Sequence, residues 1–110
     1  MLPKKNRLKA NDIKGLYSKG IKFRGEYGML IVEKNSKVGE YEIAFVVSKK
    51  IGNAVQRHRM TRLLREISRK RIKENITGLR LVYIAFKYCD NYEKLEEEFK
   101  LQIEKAVSHT

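Results

Sequence analysis

The stretch from residue 41 to residue 87 constrains the fold most, because the period of its apolar residues changes twice. Residues 41–48 alternate between their two faces, which is typical of a strand with one buried face. Residues 54–73 carry apolar side chains at helical spacing, and residues 80–87 are apolar on both faces, which predicts a strand covered on both sides. A strand, a long helix and a second strand in this order predict a sheet with a helix packed against it.

The start of the long helix is marked by three residues. Gly52 breaks the strand pattern, Asn53 can cap a helix, and Gln56 follows three positions later, as in a capping box. We therefore expect the helix to begin directly after Asn53. At its far end, the pair Thr77-Gly78 predicts a turn into the last strand.

The rest of the chain supplies two more helices and two more strands. We expect these elements at residues 11–19, 21–27, 29–33 and 92–107. Asn11 is the expected N-cap of the first helix and Gly20 its end, while the glutamates at 96–98 are expected to meet solvent. The predicted fold is α+β: a single two-layer domain over residues 1–110, in the order α-β-β-β-α-β-α, with a four-stranded mixed sheet packed with helices.

The basic residues lie in two blocks of the sequence. Lys and Arg number 25 against 13 Asp and Glu, so the net charge is +12. Residues 1–24 carry a net charge of +7 and residues 49–73 one of +9, whereas residues 90–110 are net negative. A surplus of this size repels itself in the compact state, so it predicts a polyanionic partner. Nucleic acid is the first candidate and a membrane surface the second.

The helix at 54–73 has two distinct faces when its residues are placed at 100° each. Four apolar residues share one arc: Met60, Leu63, Leu64 and Ile67. Five basic or titratable residues form a stripe on the opposite side: His58, Arg62, Arg65, Arg69 and Lys73. Glu66 alone interrupts this stripe, whereas a merely solvated helix alternates acidic and basic residues. Because the apolar arc is needed to cover the sheet, we favour nucleic acid over a membrane surface.

Further residues near the start of this helix extend the predicted interface. Arg59 flanks the stripe, and Arg57 points nearer the apolar edge, from which it can reach around. Lys49 and Lys50 precede the helix, close to backbone N–H groups that can bind phosphate. Arginine predominates, and its planar guanidinium suits phosphate and stacks on bases. We therefore predict that these residues, together with Asn53 and the stripe, bind nucleic acid.

The sequence offers no site for chemistry of its own. Its two aspartates, Asp12 and Asp90, are far apart in the chain, and its histidines are His58 in the stripe and His109. It contains neither a Cys/His metal-binding spacing nor a glycine-rich phosphate loop. Cys89 is the only cysteine, so we expect it to be buried and reduced in a cytoplasmic protein. No apolar run is long enough to cross a membrane, and the first residues are unlike a secretory signal.

Residues 48–66 closely resemble the signature of the bacterial ribonuclease P protein family. They read Ser-Lys-Lys-Ile-Gly-Asn-Ala-Val-Gln-Arg-His-Arg-Met-Thr-Arg-Leu-Leu-Arg-Glu. The family typically shows a Lys-Lys, a Gly-Asn-Ala-Val, an Arg-Asn-Arg and a Lys-Arg in this order, so the match is long and free of gaps. Arg7-Leu8, residues 12–17 and Gly20 are similar to the family's opening. The resemblance therefore extends over nearly the whole chain.

Three positions depart from the family pattern. His58 stands where Asn is usual, which is expected to alter a hydrogen bond to RNA. Thr61 stands where Lys is usual, which removes a phosphate contact. Ile13 stands where an aromatic residue is common, whereas Tyr17 keeps the second aromatic position.

The resemblance implies a division of labour between RNA and protein. A catalytic RNA with bound Mg²⁺ would remove the 5′ leader of precursor tRNA, and the protein would bring no catalytic residue and no metal of its own. The protein would bind that RNA and hold the single-stranded leader, with no protein partner required and no membrane involved. The family's joined parallel strands also imply a left-handed crossover, against the general right-handed preference.

The family's leader cleft maps to three positions of this sequence: Ile13, Tyr17 and Ile31. One wall of the cleft would be basic: Arg57, His58, Arg62 and Arg65. A position in the core also fits Ile13 and Ile31, and for Tyr17 the helical pattern allows both. The resemblance does not divide the basic residues between the catalytic RNA and the leader.

A second class of function fits the composition equally well. This is an RNA-binding protein without any enzyme, such as a ribosomal protein or an RNA chaperone. The signature stretch alone separates the two classes, and it favours the ribonuclease P subunit. The subtype of the partner RNA and the stoichiometry of the complex stay open.

Overall fold

The structure, a computed structural model, describes residues 10–34, 41–71 and 78–109, with side chains from residue 15 to residue 108 of those ranges. Its elements are α1 (Ala10–Lys19), β1 (Ile21–Arg24), β2 (Gly28–Lys34), β3 (Tyr41–Val46), α2 (Ala54–Arg71), β4 (Leu79–Ala85) and α3 (Tyr92–His109). The predicted α+β order, α-β-β-β-α-β-α, is confirmed. The expected turn residue Thr77 lies outside the described residues.

The described strands form one four-stranded mixed sheet in the order β1-β2-β4-β3. β2 pairs antiparallel with both β1 and β4, whereas β3 and β4 run parallel and are joined through α2. β4 therefore lies inside the sheet, as its apolar residues on both faces predict. The handedness of the crossover through α2 stays a prediction.

One face of the sheet packs against α2 and α3 and forms the larger core. The sheet contributes three side chains to this core that are each at most 1% exposed: Leu30, Leu81 and Tyr83. The helices contribute Met60, Leu64, Ile67, Leu95, Phe99, Ile103 and Ala106. Burial of a large apolar side chain contributes about 1.5–3 kcal/mol to stability. The sheet and these two helices make the two predicted layers.

Within the described chain, α1 is the helix that packs on the other face of the sheet, as a partial third layer. Leu16 contacts Ile31 and Val82, and all three side chains are fully buried. Gly20 ends α1 as predicted, and a Cβ at this position would collide with Ile31, so the glycine permits the close approach of helix and sheet. The neighbouring side chains are half-buried: Met29, Ala44, Val46 and Ile84. We call these four residues the open strip.

Three local expectations are wrong. Asn11 lies inside α1 instead of before it. Glu96 and Glu98 are half-buried, because Arg71 lies beside the first and the backbone of Tyr27 donates to the second. β1 ends at Arg24, three residues early, because the chain turns there towards β2.

Candidate nucleic-acid interface

The start of α2 is fixed by a reciprocal cap. Asn53 Oδ1 accepts the backbone N–H of Gln56 at 2.9 Å, and Gln56 Oε1 accepts the backbone N–H of Asn53 at 3.0 Å. A Cβ on Gly52 would collide with the Gln56 side chain in this position. The predicted capping box is therefore confirmed, and it sets the direction in which α2 leaves the sheet.

Lys49 and Lys50 lie in a single 3₁₀ turn between β3 and α2. The turn is anchored by Ile51, which is buried, and closed by the backbone hydrogen bond from Ile51 N to Ser48 O at 3.0 Å. Both lysines are exposed. They are thus held next to the first backbone N–H groups of α2, where the helix dipole also attracts anions.

Four residues of the predicted stripe lie on the solvent side of α2. His58, Arg62 and Arg69 are exposed, and Arg65 is half-buried. Among the described residues, none of these four side chains has an ion-pair or hydrogen-bond partner. Lys73, the fifth member of the stripe, lies outside the described part of the chain.

On the side of α2 that faces α3, the cations are paired with carboxylates, and we call this the neutralised side although Lys70 and Arg71 share one carboxylate. Arg59 Nη1 lies 3.7 Å from Asp90 Oδ2. Lys70 Nζ and Arg71 Nη2 lie 3.8 Å and 3.3 Å from the carboxylate of Glu96. Exposed pairs of this kind contribute only about 0–1 kcal/mol to stability. These pairs matter because they leave the unpaired positive charge of α2 on the stripe.

Arg57 occupies an intermediate position, as predicted. It is half-buried, and its Nε is buried without a hydrogen-bond partner among the described residues. Thr61, at the position where the family has Lys, is half-buried and donates from Oγ1 to the backbone O of Arg57 at 2.8 Å. Thr61 therefore satisfies its hydroxyl within the helix and offers no charge to a phosphate.

The open strip lies between two sets of cations. One row of neighbouring residues crosses all four strands: Arg24 on β1, Met29 on β2, Ile84 on β4 and Val46 on β3. Lys22 lies on the same face, opposite Ile31, and donates from Nζ to the backbone O of Tyr17 at 3.1 Å. Lys22 and Arg24 thus border the strip at β1, whereas Lys49 and Lys50 follow β3 at the opposite edge of the sheet.

The three positions mapped to a leader cleft have different surroundings. Tyr17 is 46% exposed on α1, beside the fully buried Leu16 that anchors the helix. Ile31 has no exposed surface, because α1 covers it, which agrees with the core position that the sequence left open for this residue. The side chain of Ile13 is not among those that the structure describes. The structure therefore places Tyr17 at the surface, and its role in a leader cleft stays a prediction.

Three residues of this surface were missed at the level of sequence. Lys22 and Arg24 alternate with Ile21 and Phe23, and this period of two indicates that both cations share one face of β1. Phe86, directly after β4, gave no signal because its apolar character merged with the strand. No sequence signal predicted that the open strip is half-buried, since its burial depends on where α1 lies.

Over the described ranges, no three His, Cys, Asp or Glu side chains come together as metal ligands. No helix in the same ranges is long and apolar enough to span a bilayer.

Fold and interface together define a small basic α+β protein in which a cationic helix lies beside a half-open sheet. The family model described as Ribonuclease P matches residues 2–108. The chain belongs to the ribonuclease P protein family. The resemblance first drawn from residues 48–66 is thereby confirmed.

Relatives and solved structures agree with this membership. A ribonuclease P protein component from Pseudanabaena sp. is 36% identical, over 96% of this chain and 95% of the relative. One from Finegoldia magna is 39% identical, over 86% of this chain and 85% of the relative. The RNase P protein from Thermotoga maritima has a TM-score of 0.65 at 28% identity, over 86% of this chain and 80% of that one. The Staphylococcus aureus protein shares the fold, with a TM-score of 0.80 at 22% identity over 92% and 94% of the two chains.

Proposed function

We propose that the chain is the protein subunit of a ribonuclease P holoenzyme that removes the 5′ leader from precursor tRNA in the cytoplasm. The protein binds the catalytic RNA of that enzyme and the leader of the substrate. The RNA carries out the cleavage with Mg²⁺. Family membership supports the first half of this proposal, and the arrangement of charge and apolar surface supports the second.

The observation that carries the proposal is the unequal pairing of the α2 cations. Arg59, Lys70 and Arg71 have carboxylate partners from the α3 side of the fold. Arg62 and Arg69, on the same helix, have none among the described residues. Unpaired arginines on one helix face repel each other, so the arrangement favours a polyanion that neutralises them.

The open strip supports a single-stranded partner beside that helix. Its half-buried apolar side chains suit the flat faces of unpaired bases, which a duplex keeps stacked inside. The cations at its two edges suit the phosphates of the same strand. A single-stranded leader meets both requirements, and it is the part of precursor tRNA that the mature tRNA lacks.

We assign the Mg²⁺ ions to the catalytic RNA. The described protein residues bring no set of three ligating side chains together, so the protein contributes positive charge through lysine and arginine. These cations reduce the repulsion between two RNA molecules, which Mg²⁺ otherwise screens. The benefit of the protein should therefore be greatest at low Mg²⁺.

The test is reconstitution of the full chain with a bacterial ribonuclease P RNA and a precursor tRNA at low Mg²⁺. We expect correct 5′ cleavage by the mixture, little cleavage by the RNA alone, and none by RNA-free protein. Affinity for the RNA should fall with salt, each phosphate contact adding about 0.7–0.9 to the log–log slope. RNA binding without any gain in cleavage would favour the ribosomal-protein or chaperone class instead.

A further inference from the structure

We propose that Phe86 and Arg24 form a stacking site for one unpaired base at the end of the open strip. The inference rests on the proposed function, because the base belongs to the leader that lies on the strip. It adds a contact that neither the signature stretch nor the α2 stripe contains.

The first observation is the position of Phe86. It continues the face of β4 that carries Val82 and Ile84, two residues beyond the latter. Its backbone N–H donates to Tyr27 O at 2.7 Å, which extends the β2–β4 ladder by one step. The ring therefore lies on the same side of the sheet as the open strip, and 37% of the residue is exposed.

The second observation is the cation beside the ring. Arg24 Cζ lies 4.8 Å from the centroid of the Phe86 ring, within the range of a cation–π contact. Arg24 is opposite Met29, which is opposite Ile84, so the guanidinium is on the face of the strip. Arg24 is itself exposed. A base can thus stack on the guanidinium plane that lies over the ring, or on the ring itself once the guanidinium turns to the phosphate of the same nucleotide.

The third observation is the distribution of exposed aromatic rings. Among the large hydrophobic residues that the structure shows as exposed, the aromatic ones are Tyr17 and Phe86. Phe86 lies at the end of the open strip, and Tyr17 lies on α1, which packs on the same face of the sheet. Leu16, next to Tyr17, packs on Val82, and Phe86 follows Val82 by four residues, about 13 Å of extended chain. Because Tyr17 lies on α1 and Phe86 follows β4, we assign the two rings to different nucleotides of one strand.

The experiment is an abasic scan of the leader with the assembled holoenzyme. Precursor tRNAs carrying one abasic site at each leader position are bound to the wild type and to Phe86→Leu, which keeps apolar bulk without an aromatic face. With the wild type, one position should lose about fivefold or more in affinity, the lower end of the range for base stacking. With Phe86→Leu, an abasic site at that leader position should cause no further loss of affinity. Abasic sites at the other leader positions should have the same effect as with the wild type.

Three variants complete the design. Phe86→Trp keeps a stacking surface and should restore the sensitivity of the same position, which also covers the case that Phe86→Leu folds poorly. Arg24→Gln should reduce, without abolishing, the loss of affinity that an abasic site at this leader position causes. Leu101→Ala, at a 53% exposed apolar residue of α3, is the matched control and should leave the scan unchanged.

Different outcomes test the stacking site and the proposed function. If the wild-type holoenzyme binds precursor and mature tRNA equally, the leader contact in the proposed function is wrong. If it prefers the precursor, but no leader position couples to residue 86, only the stacking site is wrong.

Discussion

Both carboxylate oxygens of Glu98 on α3 accept the backbone N–H of Tyr27, at 3.2 Å and 3.1 Å, across 71 residues of sequence. Gln102, one turn later, donates from Nε2 to the backbone O of Phe23 at 3.0 Å and of Gly28 at 3.1 Å. Two side chains of α3 therefore hold the turn between β1 and β2. Because this turn follows Arg24, α3 also positions the end of β1 at which Arg24 borders the open strip.

The Glu98 contact predicts a pH dependence of stability. Burial raises the pKa of Glu98 above its usual value of 4.5, although the backbone hydrogen bond from Tyr27 opposes the shift. Above pH 4.5 the folded protein therefore retains a proton that the unfolded chain releases, so this contribution to stability is lost as pH rises through the raised pKa. The melting temperature of the wild type minus that of Glu98→Gln should therefore fall as the pH rises above 4.5. Glu97→Gln, at an exposed neighbour, should run parallel to the wild type, and parallel curves for Glu98→Gln would contradict the prediction.

The arginines of the stripe should affect RNA binding more than stability. Arg62→Ala and Arg65→Ala should weaken binding of the catalytic RNA and each lower the salt slope by about 0.7–0.9. The melting temperature of Arg62→Ala should stay close to the wild type, since exposed substitutions change stability by about 0.5 kcal/mol or less. Arg65 is half-buried but lies away from the apolar arc, so Arg65→Ala should also leave the domain folded. Lys70→Ala, on the neutralised side of α2, is the control and should bind nearly as the wild type does. If Lys70→Ala proves the most damaging, the division of α2 into two sides is wrong.

Leu64 should be essential to the core under α2. It has no exposed surface, so Leu64→Ala should lower the free energy of unfolding by about 2–5 kcal/mol through lost burial and a cavity. Chemical denaturation followed by circular dichroism measures this loss. Val55→Ala changes a 66% exposed residue of the same helix and should change stability little. A small loss at Leu64 would mean that α2 packs on the sheet through another face.

Asn53 combines a cap with a predicted RNA contact, and two substitutions separate these roles. Asn53→Ala removes the acceptor of the Gln56 N–H and should cost about 0.5–2 kcal/mol of stability. Asn53→Asp keeps a capping oxygen and should remain folded, but it adds a negative charge beside Lys49 and Lys50. RNA affinity should therefore fall in the Asp variant at unchanged melting temperature. Wild-type affinity in that variant would limit Asn53 to its capping role.

Tyr17 should contact the leader and not the catalytic RNA. Tyr17→Ala removes a half-exposed ring and should weaken binding of precursor tRNA by the holoenzyme about 5-fold to 150-fold, the range for loss of one stacked base. Mature tRNA and the catalytic RNA should bind nearly as before, since neither presents a leader. Equal losses for precursor and mature tRNA, or a large fall in melting temperature, would assign Tyr17 to the core.

The start of α2 could be predicted from sequence because its determinants are local. Asn53 and Gln56 are three residues apart, and their two hydrogen bonds need no other element. The order of elements followed in the same way from periods of two and 3.6. The central place of β4 also followed, since apolar residues on both faces leave no side for solvent.

Tertiary contacts explain what the sequence did not predict. The turn after Arg24 comes early because Gly25 faces the carboxylate of Glu98, where a Cβ would collide. Ile31 is buried because Leu16 of α1 packs on it, and no sequence pattern within β2 predicts that contact. The division of the α2 cations depends on Glu96, an acidic residue whose partner lies 25 positions earlier in the chain.

The strand order has a consequence for how the molecule is assembled during synthesis. β4 is the last strand to leave the ribosome, yet it lies between β2 and β3, which are made long before it. Until residue 85 is available, β1 and β2 can form a hairpin, but β3 has no neighbour to pair with. Pairings so distant in sequence form slowly, because a long loop must close first. A nascent chain therefore has the arginines of α2 before it has the complete sheet beside them, so its concentrated positive charge comes first and the open strip is formed in one late step.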